Sequence, residues 1–289
     1  MKLIVSLFSL FLLYSFSNEA AALWNGKIFA GGIDNEISFD DLIKNLGNAD
    51  IIVLGEEHDN FLIQIAESNI IKSVVLDKGS EGNFNLAWEF LNFSDQDRIQ
   101  NLYTRFTKGE INSVDFLKET VNSGASYAVV IESLREMEGD IKAINLSRLE
   151  KRPVVVGGLS AIDPSLIPDG FNYGSSNYYQ RFEKIMAGHT TPEKLSNYWD
   201  AQCLTDDVMA FHVTNAADKL TFVITGSFHA DFGDGVVQRL RIRSPEKSIV
   251  VVRFVDASEY KEEELENVII DPNYGAIAPF VLFVNEPLF

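Results

Sequence analysis

The sequence predicts an α/β fold in which a mainly parallel sheet is flanked by helices, with a smaller helical subdomain or cap. Three observations predict it. Six short runs rich in Val, Ile and Phe mostly lack alternation with polar residues, the pattern of strands covered on both faces. Stretches with helical spacing separate most of these runs, as parallel strands require of their connections. Several runs end abruptly in a glycine or a carboxylate followed by polar residues, which marks strand ends rather than longer apolar helices.

The elements follow in order. Lys2, an apolar run over residues 3–14 and the small residues Ala20, Ala21 and Ala22 form the pattern of a cleaved signal peptide, so residues 1–22 are expected to be removed and 23–289 to form the mature chain. A periplasmic or secreted location follows. No cysteine lies near that junction, which argues against a lipoprotein anchor, and no later run is long enough to span a bilayer. A helix is expected over 39–46, a strand over 51–54, a helix over 61–71 and a strand over 85–88. Residues 94–121 carry helical spacing at Ile99, Leu102 and Phe106, then at Val114, Leu117 and Val121. Residues 94–150 show no convincing strand and read as a helical insertion over one end of the sheet. A strand is expected at 154–156, a Gly/Ser/Asn/Tyr loop at 170–177, a long helix over 192–217 and a strand over 221–225. A helix starting at 236 and strands over 248–255 and 280–284 complete the chain.

Composition narrows the function. Hydrophobic residues make up 46% and charged residues 23%, so the chain can bury a core rather than remain disordered. The formal net charge of −18 repels phosphate backbones and excludes nucleic acid as a natural partner. Cys203 is the single cysteine, so no intrachain disulfide forms, and its apolar setting suits a small core residue.

The chemistry-bearing residues cluster after strands. Gly55-Glu56-Glu57-His58 follows the strand at 51–54, Glu89 ends the strand at 85–88, and Gly226-Ser227-Phe228-His229 follows the strand at 221–225. Ligands of open parallel sheets bind beyond the carboxyl ends of the strands, so Glu56, His58, Glu89 and His229 are expected at one edge. Two of only four histidines share the strand-Gly-x-x-His setting, and glycine permits the sharp turn both need. Imidazole and carboxylate groups together suit a divalent metal or an acid–base pair acting on water. His189 and His212 lack this setting and read as structural. Gln202 and Asp206, four residues apart, share one helix face and read as pocket-lining residues.

These segments resemble the ChaN-like haem-binding proteins of the Tiki superfamily. The resemblance rests on Ala49-Asp50 through Asp59-Asn60, on Ala201-Gln202-Cys203-Leu204-Thr205-Asp206-Asp207 and on Gly226 to His229, in that order along the chain. It implies an exported α/β domain with a helical subdomain that binds haem or handles haem iron. The wider superfamily also implies a second function, a metal-dependent hydrolase or peptidase that uses Glu56, His58, Glu89 and His229. The chain departs from its relatives at Gly157-Gly158-Leu159-Ser160, where they carry Asn-x-Pro-Arg. Haem requires an apolar slot, an axial donor and cations or histidines for its propionates. Tyr178 and Tyr179, beside Arg181 and near Tyr173, are the tyrosines considered for that role. Haem or another small molecule is therefore the expected partner, a divalent metal the alternative cofactor, and pairing into a homodimer is left open.

Overall fold

The computed structural model describes residues 26–121 and 125–285. The expected signal peptide lies outside the described residues.

An eight-stranded sheet organises the chain. Its strands are β1 (Ile28–Ala30), β2 (Glu36–Ile37), β3 (Ile51–Glu56), β4 (Phe84–Asn92), β5 (Asp140–Asn145), β6 (Leu220–Gly226), β7 (Ile249–Asp256) and β10 (Phe280–Val284), and it runs in the order β2-β1-β10-β7-β3-β6-β4-β5. The six strands from β10 to β5 are parallel, and only β1 and β2 run antiparallel at one edge. Two further short strands, β8 (Ile270–Asp271) and β9 (Gly275–Ala276), pair with each other.

The helices are α1 (Phe39–Leu46), α2 (Phe61–Lys78), α3 (Gln96–Thr107), α4 (Ser113–Thr120), α5 (Ala128–Glu136), α6 (Arg148–Gly157), α7 (Ser176–Met186), α8 (Pro192–Ala216), α9 (Ser227–Ala230), α10 (Gly235–Arg243) and α11 (Leu265–Ile269). Among the described residues, no helix is long and apolar enough to cross a membrane.

Every residue of β3 is buried because both faces of the sheet are covered. Ile52 and Leu54 join one core with Ile63, Ile70 and Val74 of α2. Ile51 and Val53 join the other core with Met209 and Val213 of α8 and Leu240 of α10. Local signals fix the helix ends. Asn60 caps α2 by accepting from the amides of Leu62 and Ile63, and Gly79 ends it at φ +59°.

Two expectations are corrected. Residues 154–156 form no strand but lie in α6. Ser147 and Glu150 make a reciprocal capping box there, and Val156 is 74% exposed, so this valine run has no second covered face. The segment 94–150 does contain a strand, β5. It sits at the sheet edge, where Lys142 can point outward while Ile141 and Ile144 are buried, so its pattern is not that of a central parallel strand. The helical stretch before it breaks into α3 and α4, with Asn112 capping the second.

Candidate functional site at the carboxyl edge of the sheet

β3 and β6 are neighbours, but their connections diverge. The chain leaves β3 through α2 to reach β4 on the far side of β6, and it leaves β6 through α9 and α10 to reach β7 on the far side of β3. The crossovers lie on opposite faces, which opens a crevice where the two strands end. Glu56 and Gly226 close the two strands side by side. A methyl group on Gly226 would stand 2.8 Å from Nε2 of His58, so glycine there lets His58 lean across the end of β6.

One half of the site is built on Glu56. Its Oε1 lies 2.9 Å from Nδ1 of His58 and accepts from the Tyr127 hydroxyl at 2.5 Å, while Oε2 accepts from Nε2 of Gln64 at 2.9 Å. Glu67 of α2 is fully enclosed beside it. Burial, then the negative charge of Glu56, pushes its carboxyl well above the usual range. Burial works against protonation of His58, but its bond to Glu56 and the charge of Glu89 outweigh that and raise its pKa.

The other half is a chain of carboxylate, imidazole and carboxylate. Nδ1 of His229 lies 2.5 Å from Oδ1 of Asp206, and Nε2 lies 3.3 Å from Oε1 of Glu89. Oε2 of Glu89 accepts from the Thr225 hydroxyl at 2.7 Å and from the Gly226 amide at 2.6 Å. The Tyr178 hydroxyl donates to Oδ2 of Asp206 at 2.8 Å and accepts from Nε2 of Gln202 at 2.8 Å. The buried Arg239 adds a guanidinium 3.7 Å from Asp206. Burial alone would lower the pKa of His229, but Glu89 and Asp206 together push it up to about 10. Burial likewise opposes ionisation of Glu89, and the charge of His229 overcomes it, holding Glu89 well below the usual carboxylate range. At neutral pH His229 is therefore an imidazolium that donates at both nitrogens.

Glu56, His58, Glu89 and His229 thus lie together at the carboxyl edge, with Gln202 and Asp206 of α8 against His229. Tyr178 enters the same network through its hydroxyl, whereas Tyr179 packs half-buried against Trp199 with ring centroids 5.2 Å apart. Tyr178 is fully buried, and burial together with Asp206 holds its phenol proton well above the ordinary range. Among the described residues, no group of three or more His, Cys, Asp and Glu side chains is arranged to hold a metal ion.

Four participants were not singled out from the sequence: Tyr127, Gln64, Glu67 and Arg239. Gln64 and Glu67 did leave a signal, as polar residues three apart among the apolar residues that α2 buries.

The site and fold define an open parallel α/β domain whose crevice at the strand switch point is filled by a buried acid–histidine array. The chain belongs to the family described as "Haem-binding uptake, Tiki superfamily, ChaN", whose sequence model matches residues 42–240. Among solved structures, ChaN of Campylobacter jejuni, described with cofacial haem binding, superposes with a TM-score of 0.69 at 22% identity, covering 90% of this chain and 96% of that one. An erythromycin esterase mutant in its open conformation superposes with a TM-score of 0.51 at 13% identity, covering 89% of this chain and 97% of that one. At these identities the likeness is one of fold. No curated protein matches the sequence significantly.

Proposed function

We propose that this chain binds haem as cargo and serves haem or iron uptake outside the cytoplasm. The observation that carries the reading is the family match over residues 42–240, which includes both Gly-x-x-His turns and the α8 segment with Gln202 and Asp206. The Lys2 start, the apolar run and the alanines before residue 23 support export. The Campylobacter jejuni relative is described as binding haem cofacially. Two stacked haems would give two copies of this chain a reason to meet, so haem-dependent pairing belongs to the same reading.

Titrating the purified mature chain with haemin tests it. Saturable binding at micromolar concentration with a shifted Soret band is the expected result. Absorption that rises only as free haemin does, with no saturation, would end the haem reading.

A further inference from the structure

A second feature lies away from the charged edge. A pocket of about 310 Å3 opens between Phe93 just beyond β4, the segment 164–169 and α8. Leu166, Ile167, Val208 and Phe211 make much of its wall apolar. Its polar side chains are Ser165, Asp169 and His212.

This wall is rich in acceptors and poor in free donors. Pro164 and Pro168 have no amide proton. The amide of Ser165 donates to Oδ1 of Asp163, and the amides of Leu166 and Ile167 donate to the carbonyls of Asp163 and Pro164. The Ser165 hydroxyl donates to Oδ1 of Asp163 at 2.8 Å, so only its lone pairs remain for a ligand. Both bonds from Ser165 hold the Asp163 carboxyl below its usual range, which keeps a negative charge next to the wall. Asp169 is exposed, and among the described residues its carboxyl group has no hydrogen-bond or ion-pair partner.

His212 adds one more acceptor. Its ring stacks on Phe93 with centroids 4.3 Å apart and planes 21° from parallel. Neither nitrogen makes a hydrogen bond or ion pair among the described residues. Burial lowers its pKa, so near neutral pH it is an imidazole with a free lone pair. Arg243, the cation beside this segment, is already committed. It grips Asp207 through bonds of 3.0 and 2.6 Å and donates to the carbonyl of Asp169 at 3.1 Å.

An apolar pocket with surplus acceptors complements a ligand that brings N–H donors and a positive charge on an apolar body. The chain's net charge of −18 favours the approach of such a ligand, whereas a carboxylate or phosphate would meet like charge at Asp163 and Asp169. At ~30 Å3 per water-sized atom, the volume holds on the order of ten non-hydrogen atoms, one ring with a short chain. We propose that this pocket binds a small primary ammonium compound with a single apolar or aromatic body, its N–H groups directed to Asp169 and His212. The inference does not depend on the haem reading.

The probe is phenethylamine, a protonated amine at neutral pH, and hydrocinnamate is the control of similar size and opposite charge. Each is titrated into the full mature chain while NMR follows the His212 ring resonances. For about ten atoms the dissociation constant belongs near ~1 mM, so the titration runs to ~10 mM. The His212 resonances should shift saturably with the amine and not with the carboxylate. Asp169→Asn, at an exposed side chain, should keep the fold and weaken amine binding by ~3- to 5-fold. Ile167→Trp should fill the pocket and abolish the saturable shift. No saturable shift in wild type, or equal binding of hydrocinnamate, overturns the proposal. So does unchanged amine affinity in Asp169→Asn. Wild-type binding by a folded Ile167→Trp variant would show that the amine gathers diffusely on the acidic surface, and it too overturns the proposal.

Discussion

Replacing His229 with Gln removes the positive charge between two buried carboxylates and is the sharpest test of the edge network. Only 13% of the His229 side chain is exposed, so solvent screens the array weakly. A pKa pushed from 6.5 up to about 10 corresponds to on the order of 5 kcal/mol of preferential binding to the imidazolium, at ~1.4 kcal/mol per tenfold. The depressed pKa of Glu89 records the same attraction and does not add to it. Breaking one partner out of a buried ion pair costs about 3–5 kcal/mol, which agrees. The sign is fixed by linkage. His229 binds its proton more tightly folded than unfolded, so its stabilisation is complete below pH 6.5 and is lost as pH rises through about 10. Urea denaturation of wild type and variant should therefore show a gap of several kcal/mol near neutral pH. That gap should close by ~1.4 kcal/mol per pH unit between about pH 7 and about pH 9. A gap below ~1 kcal/mol, the size of an exposed pair, would refute the argument. An NMR titration placing the His229 ring near its ordinary pKa would refute it too.

Burial and Glu56 raise the Glu67 carboxyl well above the usual range, so Glu67→Gln should change the unfolding free energy by less than ~1 kcal/mol and should abolish a protonated-carboxyl infrared band expected of wild type at neutral pH. Gly235 has φ +52°, and a methyl group there would collide with the backbone carbonyl of His229, so Gly235→Ala should cost ~1–3 kcal/mol and lower Tm. Tyr178→Phe leaves Asp206 short of one buried donor and should cost ~1–3 kcal/mol in urea, while His229 retains its raised pKa by NMR.

Much of the fold was legible because burial on both faces imposes a simple pattern. β3, β6 and β7 read as apolar runs since helices cover both sides of the sheet. β5 escaped because an edge strand carries polar residues on its open side. The valines at 154–156 misled because a capping box at Ser147 outweighed their β propensity. In the site, the two Gly-x-x-His turns stood out because a strand end, a turn residue and a titratable side chain are adjacent in sequence. Tyr127 could not stand out. It reaches Glu56 across 71 positions, and no local periodicity encodes such a contact. Arg239 was hidden among basic neighbours that look like a solvated helix end, although Arg239 alone is fully enclosed. His212 was set aside because its setting in the sequence is an ordinary helix. Its significance comes from Phe93, which the fold brings from more than a hundred residues away.

The edge network and the His212 pocket share one helix, and this gives the buried charges a role. The Asp206–His229–Glu89 chain ties α8 to β4 and to the turn after β6, so it fixes the height of α8 along the sheet. Asp206 and His212 are six residues apart, or ~9 Å along the axis at 1.5 Å per residue. A shift of α8 of one ångström at Asp206 would carry to the stack between His212 and Phe93, because a helix transmits displacement along its axis as a rigid element. A fully satisfied polar network is a strict positional constraint, since any displacement strands a charge in a poorly solvated place. The carboxyl edge thus holds α8, and with it the His212–Phe93 stack, in register against the sheet. His229→Gln should then shift the His212 ring proton resonances, which the Phe93 ring 4.3 Å away sets by its ring current. Unchanged His212 resonances in a folded variant would mean that α8 keeps its height without the network.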